Sequence, residues 1–507
     1  MKQYFLIIFS ICLSAWVLAQ THGVDASWYQ TPHVAVSSLT PNLNGAVANN
    51  MVVKSNGTVI FFYRRGASNY WAGSPDNGIT WNAPVPSPLV TPLTNAANGA
   101  STVTADIDSS DNIHIAWKSS HFQLSYARFN GTSWSIPVSI NTISSTSDDT
   151  VAFSQITVDR NNRIHLMWQQ GNHKNITEHS TCWYSQSADG GQTFSTPFKI
   201  SGNNQYDAAF PVADFGGTYS DTLLIAWREN QTPFNNTNMW NWDVKAAISS
   251  DGGNTWSNPV TLAGGVDDEW DPNVVLDKKG FIHVFYHVYH DNTIPDFNAN
   301  VNYIYSVNGG NSWSSPVMLS QLNIRSHLIK TAYDFTNDLV WCTWKDERDF
   351  TGQNPRADLM GVYISNFGTP NISPREFICD HDTIEVSYHN FKVGSDGIIR
   401  AIYNNSKMEG KGDTIYYTQR NSLNTGFIND KSNTMVSVFP NPVLNSMNVQ
   451  TGGSPGMLMI FNSNGSLVYQ QKEFSRDVIP MNDWPSGLYI LKFWNNESVI
   501  QTRFIKQ

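Results

Sequence analysis

The sequence predicts an all-β chain, a seven-bladed β-propeller followed by a small C-terminal β-sandwich. Three observations carry that reading. The composition combines 34 Gly and 23 Pro with 18 Trp, 20 Tyr and 26 Phe, while only 14% of the 507 residues are charged. Such a mix is too aromatic for a disordered chain and too rich in turn formers for a helical bundle. A short run of β-formers ending in an aromatic recurs seven times, 51 to 59 residues apart, and periods near 50 residues point to a propeller. From about Met435 the character changes to short alternating strands without that period.

Residues 1–19 read as a secretory signal peptide. Lys2 supplies the positive start, Phe5 to Trp16 is nearly unbroken apolar sequence, and Val17-Leu18-Ala19 precedes Gln20. Beyond it no stretch of about 20 apolar residues occurs, so no membrane span is expected. The net charge of −10 argues against nucleic acid as a partner. Cys12 belongs to the leader, which leaves Cys182, Cys342 and Cys379. An odd count without C-x-x-C spacing suggests buried small hydrophobes rather than disulfides or a zinc site.

The repeated element appears as Gly57-TVIFFY, Asp111-NIHIAW, Asn162-RIHLMW, Asp221-TLLIAW, Gly280-FIHVFY, Asp338-LVWCTW and Gly397-IIRAIY. Its closing aromatics are Tyr63, Trp117, Trp168, Trp227, Tyr286, Trp344 and Tyr403. Between copies lies a second signal: SPDNGITW from Ser74, SADGGQTF from Ser187, SSDGGNTW from Ser249, SVNGGNSW from Ser306, and a degenerate FNGTSW ending at Trp134. These read as tight turns. Asp or Asn bonds back to the backbone, Gly takes the positive φ, and the aromatic tucks beneath.

These segments match the S-x-D-x-G-x-T-W Asp-box (BNR) repeat, so residues 25–425 resemble the sialidase-like β-propellers. Seven units rather than the six of sialidases make the architecture similar to that of ulvan-type polysaccharide lyases. The resemblance implies that Trp28 to Leu39 closes the last blade onto the first, and that the Asp box is architecture rather than chemistry. Residues 426–434 read as a linker. Residues 435–507, with Val438-FPNP-Val443, Asp483-WPSGLYILKF and Arg503-FIK, resemble the sorting domain recognised by the type IX secretion system of Bacteroidetes. That likeness implies the secretion machinery as a partner and a secreted or cell-surface location.

In a propeller, the start of each inner strand and the end of the second strand line one funnel. The residues just after the seven aromatics are Arg64, Lys118, Gln169, Arg228, His287, Lys345 and Asn404. Five carry basic side chains, against about one residue in twelve for Lys, Arg and His in the whole chain. A ring of cations in a wet funnel suggests an anionic ligand, and guanidinium groups grip carboxylate or sulfate by two prongs. The candidate binding residues are Arg64, Arg65, Lys118, Lys345, His173 and Trp270; Trp240 and Trp242 could also stack on sugar rings. His114, His165 and His283 recur inside the repeat and read as structural.

Three functions fit this funnel. The first is β-elimination on a uronic acid-containing or sulfated extracellular polysaccharide. It needs a cation against the carboxylate, a base for the C5 proton and an acid for the leaving oxygen. Arg228 (or Arg65) would be the neutraliser, His287, His290 or His121 the base, and Tyr206 the acid. The lyase histidine pair is incomplete: Lys118…His121 resembles its second half, but Asn98 or Ser101 stands where the partner is expected. The second is a sialidase-like hydrolase, which lacks the F-R-I-P segment and a clear partner for Tyr416 or Tyr417. The third is a non-catalytic propeller that binds a glycan or partner. Further carboxylates precede inner strands at Asp148, Asp149, Asp207 and Asp267–Asp271, and His327 and His389 sit at inner-strand starts. No cofactor is expected beyond a structural Ca²⁺ that Asp267–Asp271 with Asp291 could hold.

Overall fold

The computed structural model describes residues 24–25, 27–28, 32–37, 41–42, 49–65, 68–82, 85–86, 103–120, 122–140, 150–171, 180–202, 206–215, 221–232, 241–290, 299–322, 324–348, 357–379, 386–405, 414–420, 436–439, 443–451, 455–462, 466–474, 476–494 and 499–507. The signal peptide, Cys12 and the linker lie outside them, as do Leu39, Asn98, Ser101, His121, Asp148, Asp149, His173, Trp240 and Asp291.

Every described element is a strand. Seven antiparallel sheets precede Arg420 among the described residues. Their second strands, Val59–Arg65, Ile113–Ser120, Ile164–Gln170, Leu223–Asn230, Ile282–Tyr289, Leu339–Asp346 and Ile399–Asn405, are the seven repeated elements. The seven closing aromatics are all buried. Sheets are numbered here by these strands, 1 to 7.

Among the described residues no single core spans the propeller. Apolar residues on facing sides of consecutive sheets form seven separate wedges, and sheet 7 against sheet 1 completes the cycle through Ile402, Tyr417, Val59 and Phe61. Both faces of each sheet are therefore buried, which is why the second strands read as apolar runs rather than alternating ones. The inner strands Met51–Val53, Thr104–Ile107, Val151–Val158, Ala208–Phe215, Asp268–Leu276, Ser326–Asp334 and Val386–Val393 abut one another in a ring. Their edges are capped by the neighbouring blade. Asp106 accepts the Val158 amide at 2.8 Å, Asp214 accepts that of Leu276 at 2.9 Å, and Asn390 donates to Asn50 at 2.7 Å. Sheet 7 is completed by His33–Ser37 pairing with Thr414–Arg420, so the expected closing strand is present.

The S-x-D-x-G turns bind successive blades. In the turn from Ser249, Asp251 accepts the amides of Asn254 and Thr255 and the Thr255 hydroxyl, which holds its carboxyl well down; Trp256 donates to the Gly253 carbonyl at 3.1 Å. Gly253 sits against Tyr184 of the preceding sheet at φ 87, and Gly191 against Tyr126 at φ 86, where no Cβ fits. Beneath them the three structural histidines bond buried tyrosine hydroxyls: His114–Tyr126 at 2.7 Å, His165–Tyr184 and His283–Tyr303 at 2.8 Å. Cys182, Cys342 and Cys379 are buried, and no disulfide joins them.

Residues from Val436 onward form a three-stranded and a four-stranded sheet sharing one core of Met447, Val449, Ile479, Leu458, Leu491 and Phe504 among others. Two sheets around one apolar layer make the expected sandwich. Among the described residues no helix is long and apolar enough to cross a membrane.

Candidate active site

Inner-strand starts do face second-strand ends. Ala209 lies opposite Arg228, Trp270 opposite His287, and His327 opposite Lys345. Just beyond these pairs the register slips in the inner strands of sheets 3 to 7, between Ala152/Gln155, Ala209/Val212, Trp270/Asn273, His327/Lys330 and Val386/His389. Phe153, Phe210, Asp271 and Leu328 take φ of 47°, 56°, 43° and 54° at the slip. A left-handed non-glycine residue costs on the order of 1 kcal/mol or more. Bulges at one level in consecutive strands turn side chains that an even pleat would send elsewhere.

What they assemble is a buried polar cluster across sheets 4 to 7. Arg228 stacks its guanidinium on Phe210 at 4.1 Å, Trp242 at 4.7 Å and Trp270 at 3.9 Å, and donates from Nη1 to Asp271 at 3.2 Å. Burial lowers the Arg228 pKa and raises that of Asp271, and each opposes the other's shift. Lys330, also buried and next to Asp271, is brought down to about 7 by burial and by Lys392. His287 is 1% exposed, and burial, His327, Arg228 and Arg325 push its pKa well below the usual imidazole value. His327 bonds Glu347 through Nε2 at 3.0 Å, and His389 bonds the Thr343 hydroxyl at 3.0 Å. Arg228 Nε, His287 Nδ1, His389 Nδ1, Asp268 Oδ2 and Glu269 Oε2 are buried without a hydrogen-bond partner among the described residues. Such atoms in a native fold call for a ligand, a proton or a water.

The expected ring of hydrated cations is corrected in one respect. Lys118, Arg228, His287 and Lys345 are all buried, and a buried charge must be paired or lose its proton. Arg228 is paired by Asp271 and Lys345 by Glu347 at 2.9 Å, while burial lowers Lys118. The axial cavity, about 330 Å³, lies along the later halves of the inner strands and is walled by Asp106, Asp214 and Lys392 among others rather than by that ring. Burial pushes Asp214 up to about 7.

His290 stands at the rim with both ring nitrogens engaged, Nδ1 by Asp267 at 3.0 Å and Nε2 by Asn300 at 2.9 Å. Tyr206 lies two residues before the inner strand of sheet 4 and is half-buried. Trp270, also half-buried, packs on Arg228, Trp242 and Tyr289. Arg64 and Arg65 end the second strand of sheet 1; their side chains lie outside the described set. Among the described residues no three acidic, histidine or cysteine side chains converge to hold a metal ion; Asp291, expected to join the Asp267–Asp271 run at Ca²⁺, lies outside them. Sequence reasoning missed Glu347 and Lys330. Lys330 was visible as a lysine in an apolar strand; Glu347, two residues past Lys345, carried no signal.

No curated protein matches the chain. Among solved structures it is similar to an ulvan lyase described as a new family of polysaccharide lyase, at 14% identity and TM-score 0.51, over 76% of this chain and 94% of that one. It is also similar to the intramolecular trans-sialidase of Ruminococcus gnavus, at 12% identity and TM-score 0.40, over 76% and 97%. The leech intramolecular trans-sialidase follows at 9% identity and TM-score 0.44, over 77% and 93%. At these identities the ulvan lyase likeness is one of fold. Residues 437–507 match the secretion system C-terminal sorting domain, and the chain is therefore a β-propeller carrying a type IX sorting domain that marks it for secretion or attachment at the cell surface.

Proposed function

We propose that the protein is a secreted carbohydrate-active enzyme that cleaves an acidic extracellular polysaccharide, uronic acid-containing or sulfated, by β-elimination. The observation that carries the reading is Arg228, boxed by three aromatic rings and held by Asp271, beside imidazoles that burial keeps neutral. Withdrawing the C5 proton of a uronate is feasible only when its carboxylate is neutralised, which a desolvated guanidinium does well. The proton must then go to a base that is unprotonated at the working pH, a state that burial gives His287 and His327. Tyr206, at the start of the neighbouring inner strand, would supply a proton to the leaving oxygen. Trp270 offers a half-exposed ring for a sugar face.

Glycoside hydrolysis is the second reading, and Glu269 favours it. Burial together with Asp243, Asp267 and Asp268 drives this carboxyl up to about 8, so it holds a proton at neutral pH as a general acid must. Incubating the purified protein with a panel of uronic and sulfated polysaccharides separates the cases. β-Elimination yields unsaturated uronates that absorb in the near ultraviolet, and Arg228→Met abolishes that signal. Hydrolysis yields reducing ends without the absorbance. An unchanged panel leaves only a binding protein and overturns the enzymatic reading.

A further inference from the structure

Among the described residues four histidines border the site, and their surroundings are not equivalent. His287 is almost wholly enclosed. His290 has both nitrogens engaged. His389 is 4% exposed and bonded to Thr343. His327 differs in being held by a carboxylate that is itself held on every side. Glu347 Oε1 accepts from His327 Nε2 at 3.0 Å and from Lys345 Nζ at 2.9 Å, and its Oε2 accepts from Arg325 Nη1 at 3.1 Å. Three donors from sheet 6 thus converge on one buried carboxyl group.

We propose that His327 is the base of this site and that Glu347 is its positioning residue, an assignment that rests on the β-elimination reading. With Nε2–H donated to Glu347, the lone pair lies on Nδ1. Carboxylate–imidazole pairing of this kind fixes both the tautomer and the ring plane. His327 precedes the bulged Leu328, and its ring centre lies 6.3 Å from that of His287. Its side chain is 10% exposed, enough for a proton to leave afterwards. In the step, the uronate C5 proton passes to Nδ1, and the C–H electron pair becomes the C4=C5 double bond. The C4–O bond breaks with its electrons on the glycosidic oxygen, which takes up a proton from solvent or from Tyr206. The imidazolium, stabilised by Glu347, returns its proton to water.

The charged and titratable groups facing His327 are Arg325, Lys345 and Glu347 from its own sheet, His287 from sheet 5 and His389 from sheet 7. The test is a pH–rate profile on whichever uronic polysaccharide the wild type cleaves, read by product absorbance. His327→Gln is expected to lower kcat by about 10²- to 10⁴-fold. Glu347→Gln is expected to lower kcat by about 10- to 100-fold with KM changed less than about twofold, and Glu347→Asp to recover part of the loss. Removing the carboxylate weakens the imidazolium, so the acid limb of kcat/KM moves to lower pH in Glu347→Gln. Unfolding curves of each variant separate lost chemistry from lost fold, and Glu347→Asp serves should Glu347→Gln not fold. Wild-type activity that survives His327→Gln within about threefold, or an acid limb unmoved by either Glu347 variant, overturns the assignment alone. Absence of unsaturated product from the wild type overturns the β-elimination reading and this assignment with it.

Discussion

The pairing of Arg228 with Asp271 invites a double-mutant cycle. The two charges approach to 3.2 Å, and at an effective dielectric of about 20 their gross attraction is about 5 kcal/mol. Most of this offsets the desolvation of two buried ions, so the pair contributes little net stability, while losing one partner strands the other. Asp271→Asn should therefore cost about 3 kcal/mol. Arg228→Met should cost more, about 4 kcal/mol, because it also forfeits stacking on Phe210, Trp242 and Trp270. The double variant removes both members of the pair together and should fall short of the sum of the singles by about 2 kcal/mol. Urea unfolding followed by tryptophan fluorescence measures all four proteins. Additivity within about 0.5 kcal/mol, or single variants indistinguishable from wild type, would refute a coupled buried pair and with it the basis for the proposed carboxylate site.

Two more outcomes follow from local geometry. Gly191→Ala should lower stability by about 2 kcal/mol or more, since a Cβ there meets the Tyr126 ring at φ 86. Gly131→Ala, at φ 91 but with nothing within 4 Å, should cost about 1 kcal/mol, and thermal unfolding of the two compares clash with strain alone. Glu269 gives a pH signature. Its folded pKa is raised to about 8 from 4.5, so the stability tied to its protonated form is complete below about pH 4.5 and lost as pH rises through 8. Relative to Glu269→Gln, the wild type should lose on the order of 1–2 kcal/mol between pH 5 and 8.5, solvent screening allowed for; a constant gap in unfolding free energy would contradict the raised pKa.

How far the sequence could be read depended on how local the physics was. The seven second strands were legible because each buries both faces, which imposes an apolar run and an aromatic such as Trp168 or Trp344 at a fixed place. The S-x-D-x-G turns were legible because their hydrogen bonds close within a few residues, as at Asp189 with Thr193. The site's chemistry was not. Whether Arg228 stands in water or against Asp271 depends on a partner 43 residues away in the next blade. The bulges that turn Asp271 and Phe210 lie at non-glycine residues, whose left-handed backbone is imposed by packing and leaves no mark in composition. Lys345 was picked out by its place in the repeat; that its charge is quenched by Glu347 appears only once Arg325 and His327 are brought to the same carboxylate.

The strand that completes sheet 7 sets how the ring responds to tension. His33 lies opposite Tyr417 and Ser37 opposite Thr414, so the first residue of one strand and the last residues of the other emerge at the same end of the pair. A pull that separates those two ends would load the ladder rung by rung, like a zipper, rather than all rungs together in shear. The seam between His33–Ser37 and Thr414–Arg420 is therefore where mechanical unfolding of the propeller is expected to begin, before the apolar wedges between its sheets are disturbed.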